Sequence, residues 1–194
     1  MDNPYIFSLA KKGEKIINIH TKGKEKNRIS CILTIAANGN KLSPFIVFKG
    51  EKNKKLKSEL MNLPDIKNKK IYANTQINAW VDEDIFKENI KNIIIPYKKD
   101  NKKILLIMDY ATSHYTEKII DYLDKLDIDV CFIPKNMTPI LQPLDRAINF
   151  PFKQYLKSLY TERYIFNNEK SNNDNKIKNL RINIISDIIK IWYG

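Results

Sequence analysis

The first half of the chain alternates short runs of β-branched and aromatic residues with polar turns. Residues 15–20 (KIINIH), 28–38 (RISCILTIAAN) and 42–50 (LSPFIVFKG) each have the composition of a β-strand. A tight-turn sequence, NGN at 38–40, separates the last two. Short polar connections of this kind join antiparallel neighbours. The pattern therefore predicts three consecutive antiparallel strands in this half of the chain.

The middle of the chain predicts a surface connection followed by a helix. Residues 51–79 are rich in lysine and asparagine, and only Ile71–Tyr72 favour a short strand there. Acidic residues at 82–84 are typical of a helix N-terminus. The apolar residues that follow are spaced three and four apart, as on one buried helix face. Pro96 is predicted to end this helix.

A strand–helix–strand unit is predicted next. Residues 104–108 (ILLIM) are consecutively apolar, which favours a strand buried on both faces. An amphipathic helix over 115–126 separates it from a second buried strand at 128–134. Two strands joined in this way run parallel.

The last third predicts mostly helix. Two prolines interrupt a loop at 135–145, and a long helix follows to about residue 166, with Pro151 expected at its first regular position. The polar segment 167–179 predicts a flexible linker, and 180–194 begins another helix. The whole order predicts an α/β fold, with a mixed five-stranded sheet flanked by helices and a C-terminal helical extension. Several folds share this order, so it does not by itself name a function.

Charge and cysteine content narrow the class of protein. The chain has 34 basic and 22 acidic residues, a net charge of +12, which favours a polyanionic partner such as nucleic acid. Lysine, asparagine and isoleucine are frequent throughout, as an AT-rich coding sequence would also produce. No apolar run is long enough for a membrane span, and the N-terminus lacks a signal peptide, so we expect an intracellular protein. Cys31 and Cys131 lie in apolar runs and are expected to be reduced core residues.

Two aspartates are the main candidates for chemistry. Asp109 directly follows the apolar run, at the strand end where ligand sites of α/β sheets lie, although it could instead cap a helix. Asp145 follows the two prolines and could instead be a helix N-terminal charge. Paired carboxylates suit hard divalent cations, and nucleases use two such ions. Asp2 is the candidate for a third ligand. No glycine-rich phosphate loop is present, so a nucleotide or other small-molecule cofactor is not expected.

Other polar residues carry weaker signals. His114 could position a nucleophile or a phosphate, but it could equally be a structural residue at a helix entry, and His20 on a strand is expected to be structural. Gln142 could contact a phosphate or a base, or brace its loop. The lysine-rich stretches 49–57 and 67–70 could follow a DNA backbone, or simply form a solvated face.

Four blocks of the chain resemble the pogo/Tigger/jerky type of DDE superfamily endonuclease, the lineage that includes centromere protein B. The blocks are NRISCILTIAANGNKLSPFIVFKG, INAWVDEDIF, ILLIMDYATSHYTEKI and CFIPKNMTPILQPLDRAINFPFKQYL. The resemblance covers about residues 1–165 in order. Its most specific part runs from Asp109 to Lys153, where a strand ending in Asp is followed by LQPLD and a helix.

The resemblance implies a ribonuclease-H-like fold over residues 1–166, and strand cleavage and transfer on DNA by an acidic triad with two Mg²⁺ or Mn²⁺ ions. Asp109 matches the second triad member, Asp145 the third and Asp2 the first. MDNPYIF is similar to the family's Asp-Glu-Thr-Pro segment, but Asn3 stands where the family has Glu. The family's central strand precedes its first Asp, so we expect that strand to be shortened or absent here. The family also carries an N-terminal helix-turn-helix region, and we expect none in this sequence.

Two functions are therefore expected, both nuclear. The first is a metal-dependent DNA endonuclease domain of transposon origin, and since transposing relatives act as multimers, a homo-oligomer is the associated expectation. The second is a catalytically inactive, domesticated or truncated DNA-binding protein that keeps the fold.

Overall fold

The structure is a computed structural model that describes residues 28–50, 54–98, 103–110, 116–166 and 173–194. The predicted strand at 15–20 lies outside these residues. The elements in chain order are β1 (Ile29–Ile32), β2 (Phe45–Lys49), α1 (Lys54–Met61), α2 (Pro64–Lys67), β3 (Tyr72–Gln76), α3 (Glu83–Asn89), α4 (Ile95–Tyr97), β4 (Ile104–Asp109), α5 (Glu117–Asp124), β5 (Ile128–Ile133), α6 (Thr138–Leu141), α7 (Asn149–Phe166) and α8 (Asn173–Tyr193). Among the helices in this part of the chain, none combines the length and apolarity that a membrane span requires.

The first sheet has the strand order β1-β2-β3. β1 and β2 are antiparallel, with Ile29 opposite Phe48, which confirms the pairing predicted for residues 28–50. The turn between them places Gly39 at a φ of +86°, a conformation that glycine adopts readily. β3 pairs in parallel with the other side of β2. It runs from Tyr72 to Gln76 and is therefore longer than the short strand predicted at Ile71–Tyr72.

The second sheet confirms the predicted parallel unit. β4 and β5 pair in parallel from Ile104 opposite Ile128 to Asp109 opposite Ile133. α5 connects them and begins after Thr116, whose hydroxyl accepts a hydrogen bond from the Ile119 N–H at 3.3 Å.

The prediction of one five-stranded sheet was wrong for the described residues, because the five strands form a three-stranded and a two-stranded sheet. Among the described residues, side chains and not backbone hydrogen bonds hold the two sheets together. Phe45 and Val47 of β2 share one hydrophobic cluster with Met108 of β4 and Ile128 of β5. Helix α3, the π-helical turn Ile90–Ile94 that follows it and α5 contribute the rest of this first core, so both sheets lie against the same helical layer.

A second core covers the opposite face of the first sheet. Its buried residues come from β2, β3, α1, α2, α7 and α8 and the residues beside them: Ile46, Phe48, Leu60, Ile66, Ile71, Ala73, Phe152, Ile185, Ile188 and Trp192. α8 is therefore part of the packed core. It begins at Asn173, seven residues before the predicted start at 180, and the segment 167–179 contains no glycine or proline that would oppose helix.

Prolines widen two helices without ending them. The helix that begins at Glu83 continues as a π-helical turn at Ile90–Ile94 and then as α4, and it ends at Tyr97, one residue beyond the predicted end at Pro96. Proline has no N–H and clashes with the carbonyl four residues earlier, and a wider turn accommodates this. A second π-helical turn, Leu144–Ile148, likewise precedes Pro151, which lies at the third position of α7 and not at the first.

The prediction that β4 is buried on both faces was also wrong. Leu106 and Met108 pack into the first core, whereas Leu105 and Ile107 are 59% and 57% exposed. Cys131 lies opposite Ile107 on β5 and is exposed too, so it is not a core cysteine. The reason is that α3 and α5 cover only one face of this small sheet.

The two thiols should therefore differ in reactivity. Burial raises the pKa of the Cys31 thiol to about 12, so almost none of it is the reactive thiolate at neutral or mildly alkaline pH. We expect iodoacetamide to label the exposed Cys131 quickly in the native protein, and Cys31 only as the pH approaches 12 or on unfolding. Mass spectrometry of Cys131→Ser is the check, and fast labelling of that native variant would contradict this assignment.

Candidate active site at the carboxyl edge of the second sheet

Asp109 is the last residue of β4. It is half-buried and stands opposite Ile133, the last residue of β5. Because the two strands are parallel, their carboxyl ends meet at one edge of the sheet, and the chain leaves both from there. This edge is where open α/β sheets bind ligands. The structure therefore places Asp109 where the sequence predicted it.

A small aromatic cluster fixes the backbone beside Asp109. The rings of Tyr110 and Phe132 meet edge-on, with centroids 5.7 Å apart and planes 68° apart. The ammonium group of Lys135 lies 5.1 Å from the Tyr110 ring centroid, a cation–π geometry. The cluster connects the end of β4 to the exit of β5, and it holds the Lys135 charge over the ring of Tyr110, the residue after Asp109.

Asp145 lies in the segment that follows β5. It is exposed within the π-helical turn, while Leu144 and Ile148 pack against the second core. The Asn149 side-chain amide donates a hydrogen bond to the Asp145 carboxylate. Packed apolar residues thus anchor the turn, and an amide one turn later along the helix orients its carboxylate.

Gln142 lies in the same segment, between two prolines. Its backbone N–H donates to the Thr138 carbonyl at 3.0 Å, and its own carbonyl accepts from the Arg146 N–H at 3.1 Å. Its side-chain carbonyl oxygen is buried and has no hydrogen-bond partner among the residues that the structure describes. Gln142 therefore braces the loop through its backbone and keeps an unused buried acceptor beside the turn that carries Asp145.

Several predicted residues are not tested by this geometry. Asp2, His20 and His114 lie outside the described residues. Within 28–50, 54–98, 103–110, 116–166 and 173–194, no three His, Cys, Asp or Glu residues come together as a metal site. Of the three predicted ligands, Asp109 and Asp145 lie among the described residues, at the end of β4 and in the π-helical turn that follows α6.

Sequence reasoning missed one feature of this region. Trp80 is 59% exposed and lines an open groove of about 330 Å³ together with Thr116, the residue that caps α5. Tryptophan is usually well buried, so nothing in the local sequence indicated an exposed ring.

The described part of the chain is an α/β domain with Asp109 at the carboxyl edge of a parallel strand pair and Asp145 in a turn that follows two prolines. The family model described as DDE superfamily endonuclease matches residues 26–192. The chain belongs to this family.

Individual relatives agree with this assignment. The chain is 23% identical over 171 residues to the mouse (Mus musculus) protein "Pogo transposable element with KRAB domain", covering 83% of this chain and 25% of the relative. The human (Homo sapiens) protein of that name is 22% identical over the same coverage. The mouse "Jerky protein" is 25% identical over 137 residues, 66% of this chain and 23% of the relative. The chain thus spans about a quarter of these relatives, and no solved structure matches it significantly.

Proposed function

We propose that this chain is the catalytic region of a transposase-type endonuclease that cleaves DNA phosphodiester bonds with divalent metal and transfers the cut strand. One observation carries the proposal. A DDE superfamily endonuclease domain over residues 26–192 has an aspartate, Asp109, at the carboxyl end of β4 and an anchored turn with Asp145 after the parallel neighbour β5.

The donor chemistry supports a hard divalent cation at this edge. Carboxylate oxygens are the ligands that Mg²⁺ and Mn²⁺ prefer, and Asp109 and Asp145 would hold the metal, with Asp2 as the proposed third ligand. Two bound ions would supply an activated water and stabilise the leaving oxygen. The Gln142 backbone carbonyl, which accepts from the Arg146 N–H, and the Asn149 amide would keep the turn that carries Asp145 in place.

DNA is the proposed partner, and the nucleus the proposed location. The net charge of +12 favours a polyanion, and the relatives named as pogo transposable elements support a nucleic-acid substrate. Lys135, held over the Tyr110 ring beside Asp109, would pair with a backbone phosphate next to the cut. Such phosphate contacts position the DNA without reading its sequence. A homo-oligomer belongs to the same proposal.

Nicking of supercoiled plasmid tests this function directly. We expect the purified chain to convert supercoiled into open-circular plasmid in Mg²⁺ or Mn²⁺, and EDTA to stop the reaction. The nicks should be extendable by a DNA polymerase, because attack of water on phosphorus with cleavage of the P–O3′ bond leaves a 5′-phosphate and a free 3′-hydroxyl for strand transfer. Metal-independent nicking, or none by folded protein that binds DNA, would contradict the proposal.

The alternative is a DNA-binding protein that keeps the fold without catalysis. One observation favours it, namely that the described residues bring together no group of three metal-ligating side chains. It predicts plasmid binding that is insensitive to EDTA, together with the absence of nicking. In the same samples, gel retardation measures plasmid binding and agarose gel electrophoresis of the deproteinised plasmid measures nicking.

A further inference from the structure

The two tryptophans of the chain lie in opposite environments. Trp192 is 1% exposed in the second core, whereas Trp80 is 59% exposed. A single exposed apolar residue is common on protein surfaces and needs no special explanation. Trp80 differs because the backbone around it is closely fixed and because a cation is stacked on its ring.

The loop that carries Trp80 is built by its neighbours. The Gln76 side-chain oxygen accepts hydrogen bonds from the N–H groups of Asn78 at 2.6 Å and Trp80 at 3.1 Å. The Ala79 N–H donates to the Gln76 carbonyl at 2.9 Å. Ala79 is fully buried with a φ of +55°, a left-handed conformation that costs a non-glycine residue about 1 kcal/mol. The exposed position of Trp80 is therefore imposed by its surroundings at an energetic cost.

The chemistry around the ring suits a flat, uncharged ligand. The Arg28 guanidinium carbon lies 5.5 Å from the Trp80 ring centroid, a cation–π geometry. Trp80 remains 59% exposed with Arg28 in this position. Polar side chains of Asn78 and Thr116 line the adjoining groove, and the carboxylates of Asp82 and Glu83, which also line it, make it unfavourable for a phosphate. The groove volume of about 330 Å³ is near the lower end of ligand pockets. A single nucleobase fits this description, and the Arg28 guanidinium beside the ring would meet the attached phosphate.

The groove lies at the N-terminal end of α5, the helix that follows β4 in the chain. Thr116 on its wall caps α5 and follows Asp109 by seven residues in the chain. We infer that Trp80, with Arg28 stacked on it, is the platform on which one unpaired DNA base stacks next to the phosphodiester that is cut. The inference rests on the proposed function for its substrate, and it adds that the protein separates or prefers an unpaired base at the cleavage position.

Binding of single-stranded and duplex DNA by Trp80 variants is the test. The probes are a fluorescein-labelled oligothymidylate and a labelled blunt duplex of equal length, measured by anisotropy without metal. Base–aromatic stacking is worth enough that Trp80→Ala should weaken single-strand binding about 5- to 100-fold. Duplex binding should hardly change. Trp80→Phe should restore much of the loss, and Tyr155→Ala, which removes an exposed aromatic ring on α7, should cause none.

Tryptophan fluorescence gives an independent readout. Oligothymidylate should quench the emission of the wild-type protein and leave that of Trp80→Phe unchanged, because Trp192 is buried. Equal losses on both DNA forms, no loss, or a phenylalanine variant as weak as the alanine variant would overturn the inference. If nicking is metal-dependent but unaffected by the Trp80 substitutions, the inference is overturned and the proposed nuclease function stands. A Trp80-dependent preference for single strands without nicking overturns only the nuclease function.

Discussion

Replacing Trp192 with alanine is expected to lower the free energy of unfolding by about 3–5 kcal/mol, the range for deleting a buried aromatic side chain. Trp192 is 1% exposed, and its ring meets Phe152 edge-on with centroids 6.3 Å apart. Its indole N–H donates to the Leu42 carbonyl at 2.7 Å. The Lys41 ammonium group lies 5.6 Å from the ring centroid and donates to the Trp192 carbonyl at 2.7 Å. Alanine removes all the ring contacts and leaves a cavity.

Urea denaturation followed by circular dichroism measures this loss. Trp192→Phe keeps most of the apolar contact but leaves the Leu42 carbonyl without its donor, so we expect it to lose about 1–3 kcal/mol. The neighbouring Tyr193 is exposed, and its hydroxyl donates to the Lys70 carbonyl at 3.1 Å. Tyr193→Phe should therefore stay within about 1 kcal/mol of wild type. A Trp192→Ala variant as stable as Tyr193→Phe would contradict the packing described for α8.

The core that contains Trp192 also supports the candidate active site. Leu144 and Ile148, on either side of Asp145, pack against the core that contains Trp192. Loosening that core should also loosen the turn that carries Asp145. The Trp192→Ala variant should consequently nick plasmid more slowly even at temperatures where it remains folded.

Asp109→Asn is expected to slow metal-dependent plasmid nicking by more than about 100-fold, because changing even an outer-shell partner of a metal ligand typically costs 10–100-fold. The asparagine has nearly the same shape, and the backbone at this position is paired within the β4–β5 ladder, so the fold should survive. What is lost is the negative charge with which Asp109 would hold the proposed divalent cation.

A control for charge alone is available in the same sheet. Asp129 is exposed on β5, opposite Leu105 near the amino end of β4. Asp129→Asn changes the net charge by the same amount but lies at the far end of the strand pair, so its nicking rate should equal that of wild type. Equal nicking rates for Asp109→Asn and Asp129→Asn would show that Asp109 is not part of the active site.

Elements with strong local signals could be predicted from the sequence. The apolar run of β4 and the largely apolar β5, with an amphipathic helix between them, indicate a parallel unit. The acidic start of α3 is equally local, since the Asp82 carboxylate caps the helix by accepting from the Ile85 N–H at 3.0 Å. The position of Asp109 at a sheet edge followed from the same pattern.

Features that depend on distant packing could not be predicted. Whether β4 is covered on one face or two depends on which helices reach it, and its apolar run gives no information about that. Helices α1 and α2 lie in a segment so rich in lysine that its few core residues, such as Leu60 and Ile66, show no clear period. The division into two sheets likewise depends on backbone pairing between segments far apart in the chain.

The candidate site was only partly accessible to sequence reasoning. The family resemblance supplied the roles of Asp109 and Asp145, and family membership is confirmed. Their roles, and that of Asp2, stay predictions. The exposed ring of Trp80 could not have been found, because it results from the Gln76 hydrogen bonds and the left-handed backbone of Ala79 and not from any local motif.

The most direct test of a shared metal site is to compare nicking rates of Asp109→Asn, Asp145→Asn and the double variant under identical Mn²⁺ conditions. Residues that act as one unit give losses that do not add, because the first substitution already disables the site. We expect each single variant to lose most of the activity and the double variant to lose no more than the slower single one. If the two losses multiply, or if Asp145→Asn nicks at the wild-type rate, the two aspartates do not hold a common metal and the proposed active site is contradicted.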